Sequence, residues 1–257
     1  MTGPLPRLVP ADDGVAALEI ASDAQPYLSP GSLEAMTAIV ERVAADAAIR
    51  AVVLVGGEQC FCAGASRDSL LRSTAGTDVP RYVAELPRLV LSIPVPTVAA
   101  MAGHAVGGGL VVGLWCDTVV LADESLYGAN FMALGFTPGM GATTALEHWL
   151  GPPLARELLF TGRLVKGREL KPVLSHAVRP RRDVRERAFE LAREMAQAPR
   201  DALLALKAMF ASERRESLER ALAREGPAQA ALLARAETRR LVGERYAFLA
   251  ESGSKRE

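Results

Sequence analysis

The 257-residue chain is poor in cysteine: only Cys60, Cys62 and Cys116 occur. An odd set without zinc-type spacing excludes a disulfide scaffold and a zinc knuckle, and it predicts a reduced, cytosolic protein. Histidine is as scarce, at His104, His148 and His176. These are too dispersed for a metal cluster, and no Ser/His/Asp order can be defended. Net charge is missing, because thirty basic side chains cancel thirty acidic ones. No general affinity for nucleic acid or an anionic membrane surface is expected. No apolar run approaches the roughly 20 residues of a membrane helix, and Met1 to Pro10 lacks an apolar signal core. The expected location is cytoplasmic, with no membrane association. There is no internal repeat.

What is abundant is apolar material, 49 % of the residues, enough for a substantial core. One stretch organises the rest: Val98-Ala-Ala-Met-Ala-Gly-His-Ala-Val-Gly-Gly-Gly-Leu-Val-Val-Gly113. Val98 to Ala102 reads as a buried strand, Gly107 to Gly109 as a turn, and Leu110 to Leu114 as the start of a helix. Such a turn leaves backbone N–H groups without intrahelical acceptors. With the helix dipole behind them they suit an anion, or a carbonyl oxygen becoming one. Three glycines also let a ligand approach the backbone. The plainer alternative is a tight, buried strand-to-helix turn. The stretch has neither the Gly-x-Gly-x-x-Gly of a dinucleotide fold nor the Gly-Lys-Ser/Thr of a phosphate loop.

Along the chain, strands are predicted at Val15–Ile20, Ala51–Val55, Asp117–Ala122 and Ser125–Tyr127, with a last small one at Ala177–Val178. The run at 51–55 is continuously apolar, as in a strand covered on both faces. Helical spacing marks Ser32–Ile49, where Leu33, Met36, Ile39, Val40 and Val43 form one stripe. Further helices are expected at Arg67–Arg72, Tyr82–Leu91, Ala142–Leu150 and Leu154–Thr161. Gly151-Pro152 should stop the third of these. Gly56–Ser66 and Phe131–Gly141 read as loops, and Ser73–Pro80 as a polar, mobile one. From Asp183 the chain looks helical, with breaks at Pro199 and Gly226-Pro227. Strands separated by helices indicate an α/β fold with a mainly parallel sheet. The division expected is a core at 1–198 and a helical module at 199–257.

Three segments together are more specific than any one of them. They are Cys60-Phe-Cys-Ala-Gly-Ala-Ser66, then Ile93-Pro-x-Pro-Thr-Val-Ala-Ala-Met-Ala-Gly-His-Ala-Val-Gly-Gly-Gly109, then Cys116-Asp117, Tyr127-Gly-Ala-Asn130 and Gly135-Phe-Thr-Pro-Gly-Met-Gly141. In order and spacing the chain resembles the crotonase (enoyl-CoA hydratase/isomerase) superfamily, from about residue 10 to the end. The resemblance implies a ββα spiral core with a C-terminal helical trimerisation module, and a homotrimer or a dimer of trimers. It implies no cofactor and no metal. It also implies an oxyanion hole of two backbone N–H groups around a thioester carbonyl, by position Cys62 and Gly108. Removing one such donor typically raises a barrier by about 3 kcal/mol.

The two carboxylates of the family's hydratases are missing. Their positions hold Val111 and Phe131, which cannot relay a proton from water. Hydration is therefore not expected. The third segment looks like the decarboxylating crotonases of polyketide β-branching cassettes. Those act on 3-methylglutaconyl groups carried by an acyl carrier protein, and a CoA thioester is the related substrate form. An apolar pocket around Val111 and Phe131 would desolvate the departing carboxylate. Ala65, Asn130 and His104 join these two as substrate-binding candidates. That subgroup has a Lys and a His whose positions fall here on Ser73 and Gln229, neither of which titrates. An aromatic hydroxyl of the subgroup falls near Ser69. Arg67 or Arg72 offers a bidentate carboxylate anchor, against the plainer reading of a solvated helix charge. His104 is read as a hydrogen-bonded core histidine or as a neighbour of the thioester. Arg179, Arg181, Arg182, Arg185, Arg214 and Arg215 are read as a rim for acidic carriers or as solvated helix faces. An isomerase, a dual dehydratase/decarboxylase and a catalytically impaired homologue that binds acyl carrier protein are the rival functions.

Overall fold

The computed structural model describes residues 5–10, 12–29, 31–73 and 81–246. Among them, ten strands form two sheets. The larger sheet contains β1 (Arg7–Pro10), β2 (Val15–Glu19), β3 (Ala51–Val55), β5 (Thr97–Met101), β7 (Thr118–Ala122) and β10 (Val178–Arg179), in that spatial order. The smaller one runs β4 (Cys60–Cys62), β6 (His104–Val106), β8 (Leu126–Gly128), β9 (Val165–Lys166). Pairing is parallel except for β1 on β2 and β9 on β8. The helices are α1 (Ser32–Ala45), α2 (Arg67–Ser73), α3 (Arg81–Ser92), α4 (Gly108–Leu114), α5 (Ala142–Thr161), α6 (Gly167–Leu174), α7 (Arg181–Ala196), α8 (Arg200–Leu233) and α9 (Ala236–Arg245).

The large sheet is covered on both faces, which is why its central strands read as unbroken apolar runs. Along β3, Val52 and Leu54 point into the main core, and Ala51, Val53 and Val55 into a second cluster. That second cluster is closed by Val184, Ala188, Ala192 and Ala196 of α7, a stripe at every fourth residue. Its small side chains let the helix lie close on the sheet.

Several boundaries differ from the sequence reading. The predicted loop 56–66 contains β4, and His104–Val106 is a strand of its own. Three-residue strands have no periodicity to detect; they exist because each finds a parallel partner far along the chain. β1, an antiparallel partner for β2, is likewise additional. Gly151 kinks α5, at φ 72° and ψ 156°, where a stop is predicted. Gly226-Pro227 does not break α8. A helix-interior proline costs about 3 kcal/mol. The buried stripe Leu218, Ala221, Glu225, Gln229 and Leu233 continues across it and offsets that cost. Of the predicted mobile loop at 73–80, residues 74–80 lie outside the described residues.

The C-terminal helices are tied to the core by charge as well as by apolar contact. Lys207 is 4 % exposed, and its Nζ lies 2.6 Å from Asp117 Oδ2. Arg214 donates to the Cys116 and Leu114 carbonyls and stacks over Trp115 at 5.2 Å. Its guanidinium therefore sits on the last carbonyl of α4 and on one just beyond it, where a cation is favoured. Arg215 donates to Leu91 O. These two arginines are thus structural, not part of a basic rim. Among the described residues, no helix is long and apolar enough to cross a membrane.

Candidate active site

Two chain segments meet where β4 and β6 end. β4 pairs with β6 through Cys60 with His104 and Cys62 with Ala105, with a bulge between the two pairs. After β4 the chain turns at Gly64 (φ 73°), and after β6 at Gly107 (φ 55°), where α4 begins. A Cβ on Gly64 would lie 2.9 Å from the Gly108 nitrogen, and one on Gly109 would lie 2.1 Å from the Cys62 carbonyl oxygen. Glycine at both places is what lets the two backbones touch. Gly108 is the first residue of α4, so its N–H belongs to the donors a helix cannot satisfy internally.

Cys62 is fully buried inside the β4–β6 ladder. Burial pushes its thiol up to about 12, so it is a neutral, non-nucleophilic group. Ala65 is placed differently. It forms a parallel bridge with Leu28, whose N–H bonds Gly64 O. In that register the ladder bonds belong to the residues on either side of Ala65, so its own N–H is left out of them. The Ala65 carbonyl accepts the Tyr246 hydroxyl. Tyr246 rests against Tyr27, with ring centroids 6.3 Å apart.

Around this junction the wall is apolar. Val111, in the second turn of α4, is completely buried. Phe131 is 7 % exposed and packs edge-on to Phe136 at 5.8 Å. Asn130 Oδ1 lies 3.1 Å, and the Phe131 ring 4.0 Å, from the position of a Cβ on Gly107. The structure thus brings Gly108, Val111, Asn130 and Phe131 together around one turn.

The other candidates are distributed. Arg72 lines a cleft of about 370 Å³ with Ser66, Ser69 and the Ala24–Ser29 segment. Ser73 is buried and donates to Ser69 O at 3.0 Å. Arg67 donates to Gly243 O and so anchors α9 to α2. His104 accepts the Leu126 N–H on Nδ1 at 2.9 Å. Burial, with Arg181 nearby, holds its pKa below the usual value. Gln229 is buried against Gly139, and its amide donates to Thr137 O at 3.3 Å. Arg181 is held by Gln59 and Ser125, and its backbone N–H by Glu124. Among the described residues no group of three His, Cys, Asp or Glu side chains could hold a metal ion.

Sequence reasoning passed over Met140, Glu225 and Tyr246. Met140 has a left-handed backbone (φ 64°) and covers Gly108. Glu225 binds the loop that carries Met140. The one signal in the sequence was Gly139-Met-Gly141, a glycine pair around a residue in a close turn.

The family description that matches residues 11–251 is enoyl-CoA hydratase/isomerase. The bacillaene synthase decarboxylase PksI of Bacillus subtilis is 41 % identical over 181 residues, 68 % of this chain and 71 % of that one. The ECH2 decarboxylase domain of CurF from Lyngbya majuscula superimposes with a TM-score of 0.84 at 31 % identity, covering 93 % of this chain and 98 % of that domain. A structure from a dehydratase/decarboxylase couple of polyketide β-branching gives 0.87 at 32 % identity, with the same coverages. These likenesses agree on one assignment: the chain belongs to the enoyl-CoA hydratase/isomerase family, on the side of its decarboxylating members.

Proposed function

We propose that this protein decarboxylates a 3-methylglutaconyl-type thioester carried by an acyl carrier protein, in polyketide β-branching. The carrying observation is a Gly64–Gly108 junction walled by Val111 and Phe131 in place of two carboxylates. In the step, the bond from the distal carboxylate carbon to the acyl chain breaks and CO2 leaves. The electron pair moves through the double bond into the thioester, giving a dienolate. A proton from solvent then adds to carbon and completes the unsaturated acyl product. The developing oxyanion is the species that fixed N–H donors stabilise more than the ground state.

Gly108 supplies one donor in this reading. The second comes from the segment 62–65, where position in the family motif points to Cys62. The register favours Ala65, because the Ala65 N–H stands outside the bonds of its own bridge to Leu28. Buried Val111 and Phe131 exclude water around the departing carboxylate. Arg72, in the cleft with Ser66 and Ser69, is the cation assigned to the anionic part of the substrate or its pantetheine arm. His104 is assigned a structural role behind the site.

The test is direct: 3-methylglutaconyl carrier protein is incubated with the protein and weighed. Loss of the mass of CO2 supports the proposal; an isomer of unchanged mass rejects it. One rival reading has its own support. Ser73 and Gln229, at the subgroup's Lys and His positions, are both spent on backbone carbonyls. A homologue that binds the acylated carrier without turnover would give binding and no mass loss.

The assembly proposed is a homotrimer, or a dimer of trimers, with 199–257 as its helical module. Leu206, Met209 and Phe210 of α8 are 51 %, 69 % and 55 % exposed. Leu206 and Phe210 line a groove of about 570 Å³ between α8, α7 and α5. A second copy is the occupant proposed for that groove. A light-scattering mass of one chain at micromolar concentration would refute it.

A further inference from the structure

Glu225 lies on α8, and the residue is 6 % exposed. It has three partners, all on the chain around the start of α5. Its Oε2 accepts the Gly141 N–H at 2.7 Å. Its Oε1 accepts the Thr143 N–H at 2.9 Å and the Thr143 hydroxyl at 2.6 Å. All three partners are donors, and a carboxylate is an acceptor at both oxygens. Gln229 lies one turn further along α8, packed on Gly139 and bonded to Thr137 O. Two successive turns of one helix thus grip the segment 137–143.

That segment is not a relaxed turn. Met140 and Gly141 follow one another with φ of 64° and 72°. A left-handed conformation costs a residue with a Cβ about 1 kcal/mol or more. It persists only where the surroundings hold it. The hold is visible: Trp115 Nε1 donates to Met140 O at 2.9 Å, and Glu225 takes the next peptide N–H. Met140 then places its sulfur 2.8 Å from where a Cβ on Gly108 would be.

We propose that Glu225 is a positioning residue which, with Gln229, holds the segment 137–143 so that Met140 packs on the first turn of α4 and fixes the direction of the Gly108 N–H. This rests on the reading of Gly108 as an oxyanion donor. A donor that wanders loses preorganisation, and a misplacement of about 1 Å can cost a hundredfold in rate.

The variant is Glu225→Gln. It keeps the shape, but its NH2 must face one of three donors. The probe is the 3-methylcrotonyl thioester of the carrier protein, isotope-labelled at the thioester carbonyl and read by difference infrared spectroscopy. In the wild type, binding should move the carbonyl stretch to lower frequency. In folded Glu225→Gln much of that shift should vanish, and kcat should fall about tenfold or more while KM changes less than about threefold. Should Glu225→Gln fail to fold, Thr143→Ala decides, since it removes a single hydroxyl bond and should lose part of the shift. No shift in the wild type would overturn the Gly108 reading and this inference with it. A wild-type shift that survives intact in a folded variant, with kcat unchanged, would overturn the positioning role alone.

Discussion

Met140 covers Gly108: its sulfur lies 2.8 Å from the place a Cβ on Gly108 would occupy. The obstacle is the far end of a flexible side chain, whereas the obstacle at Gly109 is the Cys62 carbonyl itself, at 2.1 Å. Adjacent glycines therefore answer differently to the same substitution. Gly108→Ala should fold and lose much of its activity, because the methyl displaces Met140 from the turn that carries the Gly108 N–H. Gly109→Ala should lose several kcal/mol of stability, as overpacking against fixed backbone does. Thermal melts of the two, beside the decarboxylation rate of Gly108→Ala, check the contrast.

Cys62→Ala should keep most activity. The thiol is pushed up to about 12 by burial and is neutral at pH 7, and the backbone survives the change. Losing one buried sulfur should cost about 1 kcal/mol. A folded variant without turnover would make the thiol chemical and defeat the oxyanion mechanism.

Crotonyl-CoA should be hydrated negligibly. Val111 and Phe131 are buried and apolar, so no carboxylate at either place activates water. A spectrophotometric assay showing turnover like that of ordinary hydratases would contradict this prediction.

His104 should make stability pH-dependent. Burial, then Arg181, lowers its folded pKa below the ordinary 6.5, while the unfolded chain keeps the ordinary value. Below that value the unfolded state binds a proton the folded state refuses, so stability falls as pH falls. The melting temperature should drop between pH 7 and pH 5, and His104→Asn, with an amide oxygen to accept from Leu126 N–H, should flatten part of the drop.

Lys207→Met should destabilise by about 3 kcal/mol, because Asp117 would stay largely buried without its closest cation. A denaturant titration with an unchanged midpoint would show that Arg214, 4.0 Å from Asp117, suffices.

Local grammar was legible from the residues alone. The apolar runs at 51–55 and 97–101 became central strands because both their faces are covered, a property that alternation cannot hide. Gly107 to Gly109 marked the turn: Gly107 takes a positive φ, and a Cβ on Gly109 would run into the Cys62 carbonyl. That Val111 and Phe131 carry no carboxylate was legible at once, because side-chain identity needs no coordinates. Which groups face each other was set by packing of distant segments. Three-residue β4 and β6 carry no period and depend on partners more than forty residues apart. α8 runs through Pro227 because its buried stripe outweighs a local penalty. Arg214 and Arg215 turn inward to carbonyls, and Glu225 meets Gly141 across 84 residues, only once α8 has docked. Propensity acts over neighbours, whereas burial and hydrogen-bond partners are set by the packed whole.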